Sequence, residues 1–327
     1  MSKKSTGLLA STILAGTILA GGIGSAALAT PANAAPDHRT ESYTMAGDAG
    51  GSKFEGIGAD QRRGTFYVSE VTGGEIHRGV SGTPEMREWL GGNGTDGRYT
   101  ARGITVDRAG NIYIAGGPNG IGNDRPDLWV YNARGELQAA LKAPGTDVFL
   151  NDVVIGADGA AYFTNSNDAQ VFRVAVSGGE YQAALWADAT GTIERREGFN
   201  LGGIELSADG SAFVVAQGNS GKLWRFDIKT RKAAAIDTRG IDLVNADGLL
   251  LRGNKLSVVQ NFSKKLTTLR LSADGSSVRM LGQRATDPDR VLTTVARLRG
   301  QTLFVDSKFD EQVASGPYEV ITDPLAR

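Results

Sequence analysis

Six glycines recur along the chain at near-equal steps, Gly64, Gly110, Gly159, Gly210, Gly253 and Gly300, with spacings of 46, 49, 51, 43 and 47 residues. Each lies in a short turn between two stretches rich in Val, Ile, Leu, Tyr and Phe, the pattern of two strands joined by a hairpin. A unit of roughly 40 to 50 residues built from several short strands cannot bury its apolar face alone and must stack on its neighbours. The spacing therefore predicts an all-β chain, a six-bladed β-propeller with four-stranded antiparallel blades.

The individual units support that reading. The second runs Gly103 to Asp107, turns at Ala109-Gly110-Asn111, and returns through Ile112 to Ala115. The third pairs Val153–Ile155 with Ala161–Thr164, and the fourth pairs Ile204–Leu206 with Ala212–Ala216. Outer strands are expected at Leu128–Tyr131, Leu137–Leu141, Leu223–Ile228 and Lys232–Ile236. The last unit is one strand short, ending at Pro317–Thr322, while Ser42–Met45 is spare ahead of the first. Pairing these two closes the ring with the N-terminal strand of the mature chain and leaves no open edge. Trp89, Trp129, Trp186 and Trp224 fall in or near outer strands, where packing between blades is the expected role.

Residues 1–34 read as a secretory signal peptide: Lys3 and Lys4, an uncharged stretch from Gly7 to Ala29, then Ala32-Asn33-Ala34 as the small-residue cleavage pattern. Residues 35–41 are expected to be a flexible segment and 42–324 the propeller, a secreted or extracytoplasmic monomer. Loss of the two lysines moves the formal charge from -1 to -3, which offers no attraction for nucleic acid or, after cleavage, for an anionic membrane. The chain has no cysteine, so neither disulfides nor thiolate metal sites contribute. It has 45 glycines among 327 residues, which suits turns and strands better than long helices.

In a propeller the first strand of each blade lines the central channel. Counting back from each turn places Glu55, Arg102, Asn151, Gly202, Asp247 and Thr294 at the heads of those strands. Carboxylates and amides facing one another are costly to bury unless paired or bound to a cation. The donors are hard oxygens, which favour Ca²⁺ or Mg²⁺ over Zn²⁺, Cu²⁺ or iron. Only two histidines occur, His38 and His77, so a His-based triad or redox-metal centre is not expected. Arg102 offers another solution, pairing with Glu55 and Asp247 or holding an anionic group of a substrate. Asp158, Asp209 and Asp274, each followed by Gly, read as turn residues, and Glu194–Glu197 as a solvated charged turn.

Phe54-Glu55-Gly56, Leu150-Asn151-Asp152-Val153 and Ala246-Asp247-Gly248-Leu249 resemble motifs of the gluconolactonase and regucalcin-like (senescence marker protein type) six-bladed propellers. The resemblance spans roughly Ser42 to Asp323. It implies a divalent cation, Ca²⁺ first with Mg²⁺, Mn²⁺ or Zn²⁺ also admitted, held by Glu55, Asn151 and Asp247. The family pattern has an Asn in the fourth blade where this chain has Gly202; Asn200, two residues upstream, is the candidate to fill that place. The implied activity is metal-dependent hydrolysis of a lactone or related ester, with Asp247 or Glu55 as proton acceptor and Asn151 and Arg102 contacting a small-molecule substrate. Gly103–Asp107 with Asn111–Ala115 is also similar to the NHL-type repeat, which keeps open a non-catalytic propeller that binds a ligand or protein partner.

Overall fold

The structure, a computed structural model, describes residues 41–118 and 125–325. The expected leader, 1–34, and all of the 35–41 segment except Glu41 lie outside the described residues. The regular elements of the described chain are strands apart from one short 3₁₀ turn at Gly218–Ser220. No helix among the described residues is long and apolar enough to cross a membrane.

Three sheets have four strands, built from Ile104–Val106 to Leu137–Leu141, Leu201–Leu206 to Ala233–Ile236, and Ala246–Arg252 to Val278–Ala285. A fourth, Phe149–Ile155 to Glu180–Asp188, gains a fifth strand because Gly117–Pro118 pairs with Phe149 and Leu150, an addition the repeat did not foretell. The eight-stranded sheet runs from Phe54–Asp60 to Thr83–Leu90, crosses one parallel pair, Thr44 with Glu85, and continues through Ser42–Met45, Tyr318–Ile321 and Gln301–Asp306 to Leu292–Leu298. Ser42–Met45 and Tyr318–Ile321 pair antiparallel over four residues, the N- to C-terminal closure expected from the spare strand.

The inner strands Phe54–Asp60, Ile104–Val106, Phe149–Ile155, Leu201–Leu206, Ala246–Arg252 and Leu292–Leu298 each neighbour the next, and the last returns to the first. Alternation along strands gives every sheet two apolar faces, and these meet face to face. Tyr113, Leu128 and Val130 pack on Leu150, Phe163 and Phe172 of the following sheet. Val214, Leu223 and Ile236 likewise meet Leu249, Leu256 and Leu269. Tyr43, Phe54, Phe66, Leu303 and Val320 seal the junction of the first and last units. Trp129 packs with Tyr67 and Ile76, and Trp186 and Trp224 share one cluster, so these three tryptophans fill the seams between sheets as expected. The result is an all-β, propeller-like ring, held by its seams without any disulfide.

The glycine turns are local. Gly64, Gly110, Gly159, Gly210, Gly253 and Gly300 all adopt positive φ, a conformation that costs glycine little and other residues more. Acidic residues cap turns of this kind: Asp209, before Gly210, accepts from Ser207 and Ser211, and Asp274, before Gly275 in another turn, accepts from Ser272 and Ser276. These bonds hold the carboxyls of Asp209 and Asp274 down at about 2.

Candidate functional site

The heads of the inner strands share one local device. In five of the six ladders the pairing register slips there, between Phe54 and Ile57, Leu150 and Val153, Leu201 and Ile204, Ala246 and Leu249, and Leu292 and Val295. Two residues fall in each slip, and a bulge of this kind redirects side chains out of the ladder. The first of each pair is Glu55, Asn151, Gly202, Asp247 or Thr293; Arg102 holds the matching place two residues before Ile104. Register therefore corrects one expectation. Thr293, not Thr294, is the sixth equivalent, and its hydroxyl donates to the Glu55 carbonyl at 2.9 Å.

The second place in the slip must be small, because neighbouring inner strands approach there backbone to backbone. A Cβ on Gly56 would lie 2.2 Å from the Arg102 carbonyl oxygen, and one on Gly203 2.2 Å from that of Asp247. Thr294 is one exception and Asp152 the other. Its carboxylate turns back to accept from the Val153 and Ile204 amides at 2.8 and 3.1 Å.

Glu55, Arg102, Asn151, Gly202 and Asp247 line one pocket of about 530 Å³ at this end of the channel. Arg102 Nη1 donates to Glu55 Oε2 at 2.6 Å, and its guanidinium lies 4.8 Å over the Phe149 ring. Burial pushes the Glu55 carboxyl up against the opposing pull of Arg102. Asp247 is raised well above the carboxylate range, first by burial and then by the charge of Glu55. A side chain at Gly202 would begin 3.7 Å from Asp247 Oδ1 and 4.0 Å from Asn151 Oδ1, so both oxygens face the place where a fourth-blade donor would stand.

Asn200 does not supply that donor. It lines the same pocket, but its amide is consumed by the preceding loop: Oδ1 accepts from the Arg196 amide at 2.8 Å and from Gln217 at 3.3 Å, and Nδ2 donates to the Ser166, Arg196 and Gly198 carbonyls. A loop residue two places upstream of the bulge lies outside the ladder and is held by whatever backbone is nearest. Sequence reasoning also missed Asn261, whose Nδ2 donates to Asp247 Oδ2 at 2.9 Å. It missed the rim as well, where Phe199 and Phe262 are 57% and 53% exposed at the pocket mouth. Phe199 packs edge-on to Phe149 at 5.2 Å, linking the rim to the ring that carries Arg102.

Glu55, Asn151 and Asp247 thus present hard oxygen donors to one space, a donor set that fits an oxygen-seeking divalent cation with water completing the shell. With glycine at position 202, the protein would bring three donors to such a shell. At the opposite end of the channel a second cavity of about 330 Å³ is lined by Asp152, Glu205 and the far halves of the inner strands. Burial raises Asp152 to about 7 and Glu205 to about 8, although backbone amides donate to both. The channel wall therefore carries a column of acidic groups with Arg102 near one end.

No curated protein sequence matches this chain. Among solved structures it is similar to a gluconolactonase from Xanthomonas campestris, at 14% identity and TM-score 0.59 over 84% of this chain and 86% of that one. It is similar to a virginiamycin B lyase from Staphylococcus aureus, at 12% identity and TM-score 0.57 over 81% and 80%. A streptogramin B lyase gives 14% identity and TM-score 0.59 over 81% and 80%. At such identities the likeness establishes the propeller-like fold alone. Residues 54–278, well over half of the chain, match the model of the SMP-30/Gluconolactonase/LRE-like region, and the chain belongs to that family.

Proposed function

We propose that this chain is an exported, divalent-metal-dependent hydrolase of the gluconolactonase-like type, acting on a lactone or related ester in the pocket between Glu55 and Asp247. The observation that carries the reading is the convergence of Glu55, Asn151 and Asp247 on one space from three separate bulged strands, together with family membership. We count the sheets as six blades, because the eight-stranded sheet is two four-stranded units bridged at a single residue pair. Export rests on the residue pattern of 1–34, and a monomer on the closed ring.

Glu55, Asn151 and Asp247 would hold the cation, Ca²⁺ by donor type. When bound, it would polarise the ester carbonyl and stabilise the oxyanion, a contribution of several kcal/mol. The chain's own residues do the remaining work. Asp247, whose Oδ1 faces the pocket, would take a proton from the attacking water, and Glu55 is the second carboxylate within the pocket. Asn261 fixes the Asp247 carboxylate through Oδ2 and leaves Oδ1 facing the pocket. Asn151 orients the substrate oxygen, and Arg102 can release Glu55 to meet the carboxylate formed on ring opening. Phe199 and Phe262 favour a substrate with an apolar portion on the mouth side.

The alternative is a non-catalytic binding propeller, favoured by Gly202 in place of a donor and by the Glu55–Arg102 pair, which already neutralises one carboxylate. Lactone hydrolysis by the purified protein, followed by pH-stat with Ca²⁺, Mg²⁺, Mn²⁺ or Zn²⁺, decides between them. Activity that Asp247→Ala abolishes supports the hydrolase. No turnover of any lactone with any of the four metals leaves the binding propeller.

A further inference from the structure

A second group of carboxylates lies outside the channel. Asp48, in the loop after the first strand, Glu70, at the end of Thr65–Glu70, and Glu75, just before Ile76–Val80, bring one oxygen each to within 4.8 Å of one another. Glu70 and Glu75 are 1% and 5% exposed, whereas Asp48 is open to solvent. Among the described residues their only ion-pair partner is His77, whose Nε2 lies 3.0 Å from Glu70 Oε2. The charges that act on Glu75 are Glu70, Asp48 and Glu88, all of the same sign.

The independent sign of a missing ligand is Glu75 Oε2. Its partner oxygen, Oε1, accepts from Asn93 Nδ2 at 2.8 Å, but Oε2 is buried with no hydrogen-bond partner. A buried acceptor left unmet carries the full desolvation penalty of the group, larger still when it is ionised. The carboxylate is also held rigidly. A Cβ on Gly73 would come within 2.4 Å of it and one on Gly92 within 2.5 Å, so two glycines make room for its placement. Glu70 is fixed from behind by Thr72 and His77, much as second-shell partners fix metal-bound carboxylates.

We propose that Asp48, Glu70 and Glu75 form a second divalent-cation site, suited to Ca²⁺, separate from the channel pocket. Carboxylate-only ligation with an open side for water matches the hard, variable coordination of Ca²⁺. A cation here clamps the loop after Ser42–Met45 to the turn between Thr65–Glu70 and Ile76–Val80. Those segments abut the channel pocket, because the Val71 amide donates to the Lys53 carbonyl and both residues line its wall. The site is therefore structural, a brace for the wall that carries Glu55.

Calorimetric titration of the purified, chelator-treated protein with CaCl₂ tests this, with Asp247→Asn removing the channel site. Asp247→Asn should retain one Ca²⁺ site and a Ca²⁺-dependent rise in Tm. Adding Glu75→Gln, or Asp48→Asn at the exposed ligand where folding is not at risk, should weaken that site by about tenfold or more through the lost ligand charge. The proposal is overturned if Asp247→Asn binds no Ca²⁺ at millimolar concentration. It is equally overturned if Asp48→Asn leaves the remaining affinity unchanged. Loss of Ca²⁺ binding confined to the Glu75 and Asp48 variants, with the channel site intact, supports this site whatever the fate of the lactonase reading.

Discussion

Glu205 faces the far mouth of the channel, and its carboxyl sits at about 8 rather than the ordinary 4.5, raised first by burial and further by Asp152. The folded protein therefore holds this proton up to about pH 8, while the unfolded chain releases it near 4.5. With more protons bound in the folded state, stability falls as pH rises across that interval and levels off above it. At about 1.4 kcal/mol per pH unit the interval spans about 5 kcal/mol as an upper bound. The side chain borders a cavity open to water, so solvent relaxation cuts the effect to about 2 kcal/mol. Glu205→Gln keeps the shape and the amide donors of Leu206 and Leu251 but cannot ionise. Urea melts followed by tryptophan fluorescence, in EDTA, should give nearly equal stabilities for both proteins at about pH 4, below the unfolded value, where the Glu205 side chain is mostly neutral in folded and unfolded chain alike. At pH 9 the Gln variant should be more stable by about 2 kcal/mol. A difference of the same size at both pH values, or a Gln variant less stable at pH 9, would refute the reasoning.

Two further perturbations address the channel. Gly202→Asn places an amide beside Asp247 Oδ1 and Asn151 Oδ1 at ordinary contact distance, and residue 202 does not have positive φ, so the new donor is accommodated. It should tighten Ca²⁺ binding by about tenfold by calorimetry, and an unchanged Kd would show that the three oxygens do not converge on a cation. Arg102→Ala leaves Glu55 buried without its counter-charge, at a cost of about 3 kcal/mol at pH 8 in EDTA and less at pH 5, where Glu55 can take up a proton. Added Ca²⁺ should recover part of that loss in denaturant melts, and equal losses at both pH values would contradict a buried, ionised Glu55.

Glu55, Asn151 and Asp247 were legible because each stands at the same point of the strand pattern that leads, six to nine residues on, into a periodic glycine turn, and a periodic ladder repeats its geometry with its sequence. The same point in the fourth unit identified Gly202 as a gap, and the structure turns that gap toward Asp247 and Asn151. The count failed by one residue at Thr294, because the bulge sets two residues opposite one and a turn-based ruler does not register which of them faces the axis. Asn200 and Asn261 were misjudged or missed for another reason. Both lie in connections between strands, whose paths follow contacts remote in sequence rather than any local period.

Sequence alone thus determined the all-β class, the near-50-residue unit, the N- to C-terminal closure and the identity of the principal channel residues, since these follow from turn chemistry and strand alternation within a few residues. Only the tertiary structure decided how those residues are used: that Arg102 pairs with Glu55, that Asn261 grips Asp247, that Phe199 and Phe262 flank the mouth, and that Asp48, Glu70 and Glu75 meet. Each is a meeting of side chains from separate segments whose energy depends on distance and burial, and those quantities exist only once the ring has closed.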